Sequence, residues 1–122
     1  MKKTGLGHSF GAIAAERGQH TEDYFEELIR SSLNAGKLPP WFRALHRTER
    51  NAKADRSGID FIVHTDRGSI RINVKSSNTF ANKFVRKHPG SDIVVVVVNP
   101  MADRGAQLGD IITLVGRAYR AL

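Results

Sequence analysis

The stretch Ile59–Ser77, IDFIVHTDRGSIRINVKSS, decides how the chain is read. Ile59–His64 is apolar and rich in β-formers, Thr65-Asp66-Arg67-Gly68 is a cluster of turn residues, and Ser69–Lys75 alternates polar with apolar side chains. This pattern predicts a hairpin whose second strand turns Ile70, Ile72 and Val74 to one face and Arg71, Asn73 and Lys75 to the other. A loop at Asp66-Arg67 pairs Thr65 with Gly68 and sets Asp60 opposite Asn73. A loop at Arg67-Gly68 slides the pairing so that Asp60 faces Lys75 instead. Directly opposed residues share a face, so either register gathers Asp60, Asn73 and Lys75 on one side unless a longer loop or a bulge intervenes. A carboxylate, an amide and an ammonium then converge at one end of an otherwise apolar hairpin.

Upstream of the hairpin, Thr21–Leu33 reads as a helix with Thr21 as N-cap and Glu22 and Asp23 in its first turn. Phe25, Leu28, Ile29 and Leu33 recur at helical spacing, and Gly36 and Pro39-Pro40 end the element. The segment before it carries glycines at 5, 7 and 11, so residues 1–18 are expected to be flexible or loosely packed and residues 19–122 to form a single domain. Trp41–Arg47 reads as a weak first strand, and Thr48–Gly58 as a polar loop. Downstream, Thr79–Lys87 is expected to be a short helix with a basic tip, stopped by Pro89-Gly90. Asp92–Val98 is a continuous β-branched run, the mark of a strand buried on both faces. A final helix is expected from Gln107, with Leu108, Ile111, Ile112, Val115 and Tyr119 on one face. The sum is an α/β domain, a small mixed sheet flanked by helices.

Bulk properties narrow the function. A chain of 122 residues builds one core rather than two. The longest apolar run, Ile93–Val98, is far too short to span a bilayer, and the N-terminal segment is too glycine-rich for a signal peptide. The absence of cysteine excludes disulfides and thiolate metal sites and fits a cytoplasmic setting. A net charge of +7 favours a polyanionic partner. No phosphate-binding glycine loop, dinucleotide fingerprint, serine nucleophile elbow or i, i+4 histidine pair is present.

Metal-assisted phosphodiester hydrolysis needs hard oxygen ligands and a cation beside the reacting phosphate. Asp60 offers the first and Lys75 the second. The Val74 backbone carbonyl and a carboxylate of the first helix are further candidate ligands. Here the run DRSGID…INVKSS resembles the PD-(D/E)xK nuclease superfamily, the restriction-endonuclease-like proteins that include Holliday junction resolvases. The resemblance spans roughly Thr21–Val98. It implies an αβββαβ core, here with an extra C-terminal helix, and Mg²⁺- or Mn²⁺-dependent cleavage of DNA. Asp60, preceded by Gly58-Ile59, matches the family's strand Asp, and Lys75, followed by Ser76-Ser77, matches its catalytic Lys. The family's helical Glu falls on Glu22 or Glu26, with the mid-helix position favouring Glu26.

The departure is Asn73, where the family carries Glu, Asp or Gln. An amide oxygen is a neutral, weaker ligand, so the burden shifts to Asp55 or a helical Glu, or the domain binds DNA without cutting it. If ligand charge is the only defect, Glu at position 73 should raise activity. Ser76, Ser77, Lys83, Arg86, Lys87, Arg43 and Arg47 are the expected DNA contacts. Duplex cleavage by one site per domain would call for a homodimer, with Trp41, Phe42 or the last helix at the contact. Two plainer readings stand beside this one. Asp60 and Lys75 could be an ordinary cross-strand ion pair worth about 0.2–1 kcal/mol. The whole domain could equally be a structural or interaction module.

Overall fold

The computed structural model of the protein describes residues 6–49 and 57–122, with side chains from Gly18 onward. Three helices and four strands follow in the order α1 (Leu6–Asn34), β1 (Phe42–Arg47), β2 (Phe61–Thr65), β3 (Ser69–Lys75), α2 (Asn78–Lys87), β4 (Val94–Val97) and α3 (Arg104–Arg120). The strands form one mixed sheet in the order β1-β2-β3-β4. Both β1–β2 and β2–β3 are antiparallel, and β3–β4 is parallel with α2 in the crossover. Among the described residues no helix is long and apolar enough to cross a membrane.

The hairpin forms in the first of the two registers. Phe61 pairs with Ile72 and His64 with Ser69, and the Thr65 amide donates to the Gly68 carbonyl at 2.9 Å. Thr65 selects this loop. Its hydroxyl donates to the Gly68 carbonyl at 2.7 Å and accepts from the Arg67 and Gly68 amides at 3.1 Å, so the turn is closed by one side chain.

Alternation then does what periodicity predicts. Phe61, Val63, Ile70, Ile72 and Val74 bury their side chains in one core with Phe25, Leu28 and Ile29 of α1 and Leu108, Ile111 and Val115 of α3. The other face is met by α2, whose one buried residue is Phe84. Ser77 caps α2 by accepting from the Phe80 amide at 3.2 Å, and Asp103 caps α3 through the Ala106 amide at 2.8 Å.

Three expectations change. First, α1 starts at Leu6 rather than Thr21, and Thr21 is a buried interior residue. The acidic pair behind that reading answers to a tertiary partner. Arg47 of β1 lies 2.6 Å from Asp23, 2.9 Å from Glu26 and 3.6 Å from Glu22. The helix does end where expected. Lys37 and Gly36 donate to the Ser32 and Leu33 carbonyls at 2.9 and 3.1 Å with Gly36 at φ 69°, a Schellman closure. Second, β4 is an edge strand. Val96 and Val98 are buried, but Val94, Val95 and Val97 are only half-buried, because β4 pairs with a neighbour on one side alone. Third, Phe42 belongs to the core and Trp41 stacks on Tyr119 at 4.4 Å.

Arg47 therefore joins β1 to α1, and its loss should be measurable. Burial alone would push the Glu26 carboxyl up, but hydrogen bonds from Arg30 and Arg47 outweigh it and hold it below its ordinary value of 4.5. A carboxyl lowered in the folded state adds stability that is present above its unfolded value and lost as pH falls through the folded one. Arg47→Ala should lower unfolding stability by about 1–2 kcal/mol at neutral pH, since three carboxylates are left facing one another. Urea titrations at several pH values should show that deficit shrinking as pH drops below about 4, where the carboxylates protonate.

Candidate active site

The β2–β3 ladder stops at Phe61–Ile72, one step short of Asp60. The Asp60 amide still donates to the Ile72 carbonyl at 2.8 Å, and its carbonyl accepts from Thr48 at 3.0 Å. Its side chain replaces the next rung: Oδ2 accepts from the Val74 amide at 2.7 Å. A charge-assisted bond of this length fixes the carboxylate against the strand. In an extended strand a residue's N–H and C=O point to the same side, so the Val74 carbonyl is turned toward the edge that Asp60 occupies. Of the three groups expected to converge, Asp60 and Lys75 come together at this end of the sheet, while Asn73 does not line the same cleft.

Around this end of the sheet lies a cleft of about 520 Å³. Asp60, Val74, Lys75 and Ser76 form its floor, Gly18, Thr21 and Glu22 of α1 one wall, and α2 the other. The α2 wall consists of Phe80, Lys83, Phe84, Lys87 and His88, positions that share one helical face. The Lys75 ammonium lies 5.3 Å from the centre of the Phe84 ring, a cation–π contact that holds a flexible side chain at the cleft. His88 stacks on the other part of this wall, 4.2 Å from Phe84.

Glu22, not Glu26, is the helical carboxylate in the cleft. Glu26 is committed to Arg30 at 2.8 Å and Arg47 at 2.9 Å. The preference for Glu26 depended on where the helix starts; with α1 beginning at Leu6, position 22 is itself well inside it. Asn73 is 2% exposed and does not line the cleft. Its Nδ2 donates to the Gly58 carbonyl at 2.7 Å, which fixes the amide's orientation and leaves the buried Oδ1 without a hydrogen-bond partner among the described residues. A Glu here would set a carboxylate against the Gly58 carbonyl and forfeit the donor. It could not act simply as a restored ligand.

Lys83 and Lys87 line the cleft, and Arg86 lies on α2 outside the lining. Ser76 is on the floor, while Ser77 is occupied as the α2 cap. Arg47 is drawn into its acidic cluster, and Arg43 sits 4.0 Å from Asp66 at the turn end of the sheet, away from Asp60. His64 meets Ser69 at that same end, 3.2 Å away. Asp55 falls outside the described residues.

The chain matches no protein-family model, no curated protein and no solved structure. What the cleft does has to be read from its own residues. It brings two carboxylates and a backbone carbonyl together with three ammonium groups, those of Lys75, Lys83 and Lys87. Among the described residues no cluster of three or more His, Cys, Asp or Glu side chains is arranged to hold a metal. Mg²⁺ does not require one, because it keeps several waters and uses one or two carboxylates with substrate phosphates. This oxygen-only donor set suits such an ion.

The sequence offers Phe80 and Phe84, four residues apart, as anchors of this helix; only Phe84 is buried, and their joint wall of the cleft was not anticipated. The spacing of Phe80, Lys83, Phe84 and Lys87, one turn apart on a short helix, was the signal available for it. The sequence reading also missed why Gly58 is glycine. At φ 86° an added Cβ would lie 2.5 Å from Phe84 Cε2. Gly58→Ala should therefore lower stability by about 2–3 kcal/mol, combining backbone strain with the clash. Urea unfolding of Gly58→Ala, Phe84→Ala and the double variant should give a less-than-additive loss, since the smaller residue at 84 removes the clash.

Proposed function

We propose that this cleft is the active site of a metal-dependent deoxyribonuclease of the restriction-endonuclease-like, PD-(D/E)xK type. The observation that carries the proposal is the meeting of Asp60, just before β2, Lys75 of β3 and Glu22 of α1 around the Val74 backbone in one cleft. The helix–three strands–helix–strand order agrees with that core, with α3 as the addition. In this reading the Asn73 amide is a positioning group that sets the Gly58–Asp60 approach.

Asp60, the Val74 carbonyl and Glu22 would hold Mg²⁺ or Mn²⁺. When bound, the ion supplies Lewis-acid stabilisation of the phosphate's charge and a more acidic water. Asp60 binds and orients through the carboxylate that Val74 fixes. Lys75 hydrogen-bonds the attacking water or a non-bridging phosphate oxygen, and its charge offsets the charge that builds there. Lys83 and Lys87 pair with flanking phosphates. One cleft cuts one strand at a time, so a double-strand break would need two copies of the chain.

A second reading has one specific support. The neutral, buried Asn73 removes a ligand that the family pattern uses, as in a module that binds DNA without hydrolysing it. Plasmid nicking separates the two. The wild type should nick supercoiled DNA with Mg²⁺ or Mn²⁺ and stop on chelation, and Lys75→Ala should lose at least about 100-fold in rate. Salt-sensitive DNA binding without nicking would favour the binding module. Nicking that persists unchanged in Lys75→Ala would remove the cleft from the chemistry.

A further inference from the structure

The α2 wall carries more apolar surface than a phosphate grip needs. Phe84 is 8% exposed and has structural work to do, against Gly58, the Lys75 ammonium and His88. Phe80, one turn earlier, is 49% exposed. It lines the same cleft and has no ring or cation partner among the described residues. Its place is nevertheless fixed, because its amide is held by the Ser77 cap at 3.2 Å. The ring stands at the cleft beside Lys83, with Lys87 one turn further along the same face.

An exposed aromatic ring in a cleft that lysines also line is an arrangement that takes up unpaired nucleotides. Bases in a duplex already cover one another's faces. A base with a free face can stack on a protein ring while the phosphates beside it meet lysines. The cleft volume of about 520 Å³ falls within the range of pockets that enclose one small ligand, about 300–1,000 Å³. That suits one nucleotide unit and cannot enclose a duplex. A purely apolar protein segment would suit the ring but not the three lysines that line the same cleft.

We infer that the cleft receives an unpaired stretch of DNA, with a base stacked on Phe80 and the adjoining phosphates on Lys83 and Lys87. The inference rests on the nuclease reading above and narrows its substrate to single-stranded or splayed DNA. Phe80 is a specificity-determining contact, separate from the Asp60–Lys75 centre.

Fluorescence anisotropy in chelator, with single-stranded and duplex oligonucleotides of equal length and sequence, tests it. The proteins are wild type, Phe80→Ala and Phe80→Trp, each checked for an unchanged urea midpoint. The wild type should bind the single strand more tightly than the duplex. Phe80→Ala should weaken single-strand binding roughly tenfold and leave duplex binding unchanged, and Phe80→Trp should retain the preference. Equal affinity for both DNAs, or an equal loss on both in Phe80→Ala, would overturn the inference. If metal-dependent nicking persists alongside that result, the nuclease reading stands and only the stacking role falls. No DNA binding at all would take both down. A change in the sedimentation of the protein alone on Phe80→Ala would assign the ring to a contact between copies, and also overturns the inference.

Discussion

The hydrogen bond from the Val74 amide to Asp60 Oδ2, 2.7 Å long, is the constraint on which the rest of the site depends. It sits where the β2–β3 ladder runs out, so the amide it satisfies would otherwise lose its sheet partner. One bond thus finishes the sheet and immobilises a carboxylate at its edge. Around it runs a brace of small, mutually dependent contacts. The Asn73 side chain holds the Gly58 carbonyl, Gly58 leaves room for the Phe84 ring, and that ring holds the Lys75 ammonium. The acidic and basic groups are positioned by the same few residues. Flexible side chains gain a defined geometry because their neighbours have none to spare.

Much of this was legible in the chain, for physical reasons that can be stated. Strict alternation at Ile70, Ile72 and Val74 fixed a buried face and hence a strand, and a slip of one residue would have exposed all three. Which turn closes the hairpin was not legible. Both candidate loops carry turn residues, and the choice falls to hydrogen bonds of the Thr65 hydroxyl that no local propensity reports. The start of α1 was hidden for a related reason. Acidic residues suit a helix's first turn, yet Glu22 and Asp23 are placed by Arg47, more than twenty positions later. Of the two helical carboxylates the chain left open, Glu22 is the one that lines the cleft.

Asn73 shows the limit most clearly. In the chain it occupies a ligand position and reads as a ligand weakened by the loss of charge. In the fold it is a buried donor to a carbonyl fifteen residues upstream and does not line the cleft. Its consequence for chemistry is positional: it sets the backbone that presents Asp60. The continuous β-branched run Asp92–Val98 misled in the other direction. Apolar composition alone does not distinguish a central strand from an edge strand whose outer face is only partly covered.

The central claim, that Asp60, Val74 and Glu22 form an oxygen-ligand site for a divalent ion, has a direct test in the paramagnetic effect of Mn²⁺ on the protein's backbone amide spectrum. The account predicts selective broadening at Asp60, Val74, Lys75 and Glu22 that is lost in Asp60→Asn. Broadening centred on the Asp23–Glu26–Arg47 cluster, or unchanged by Asp60→Asn, would contradict it.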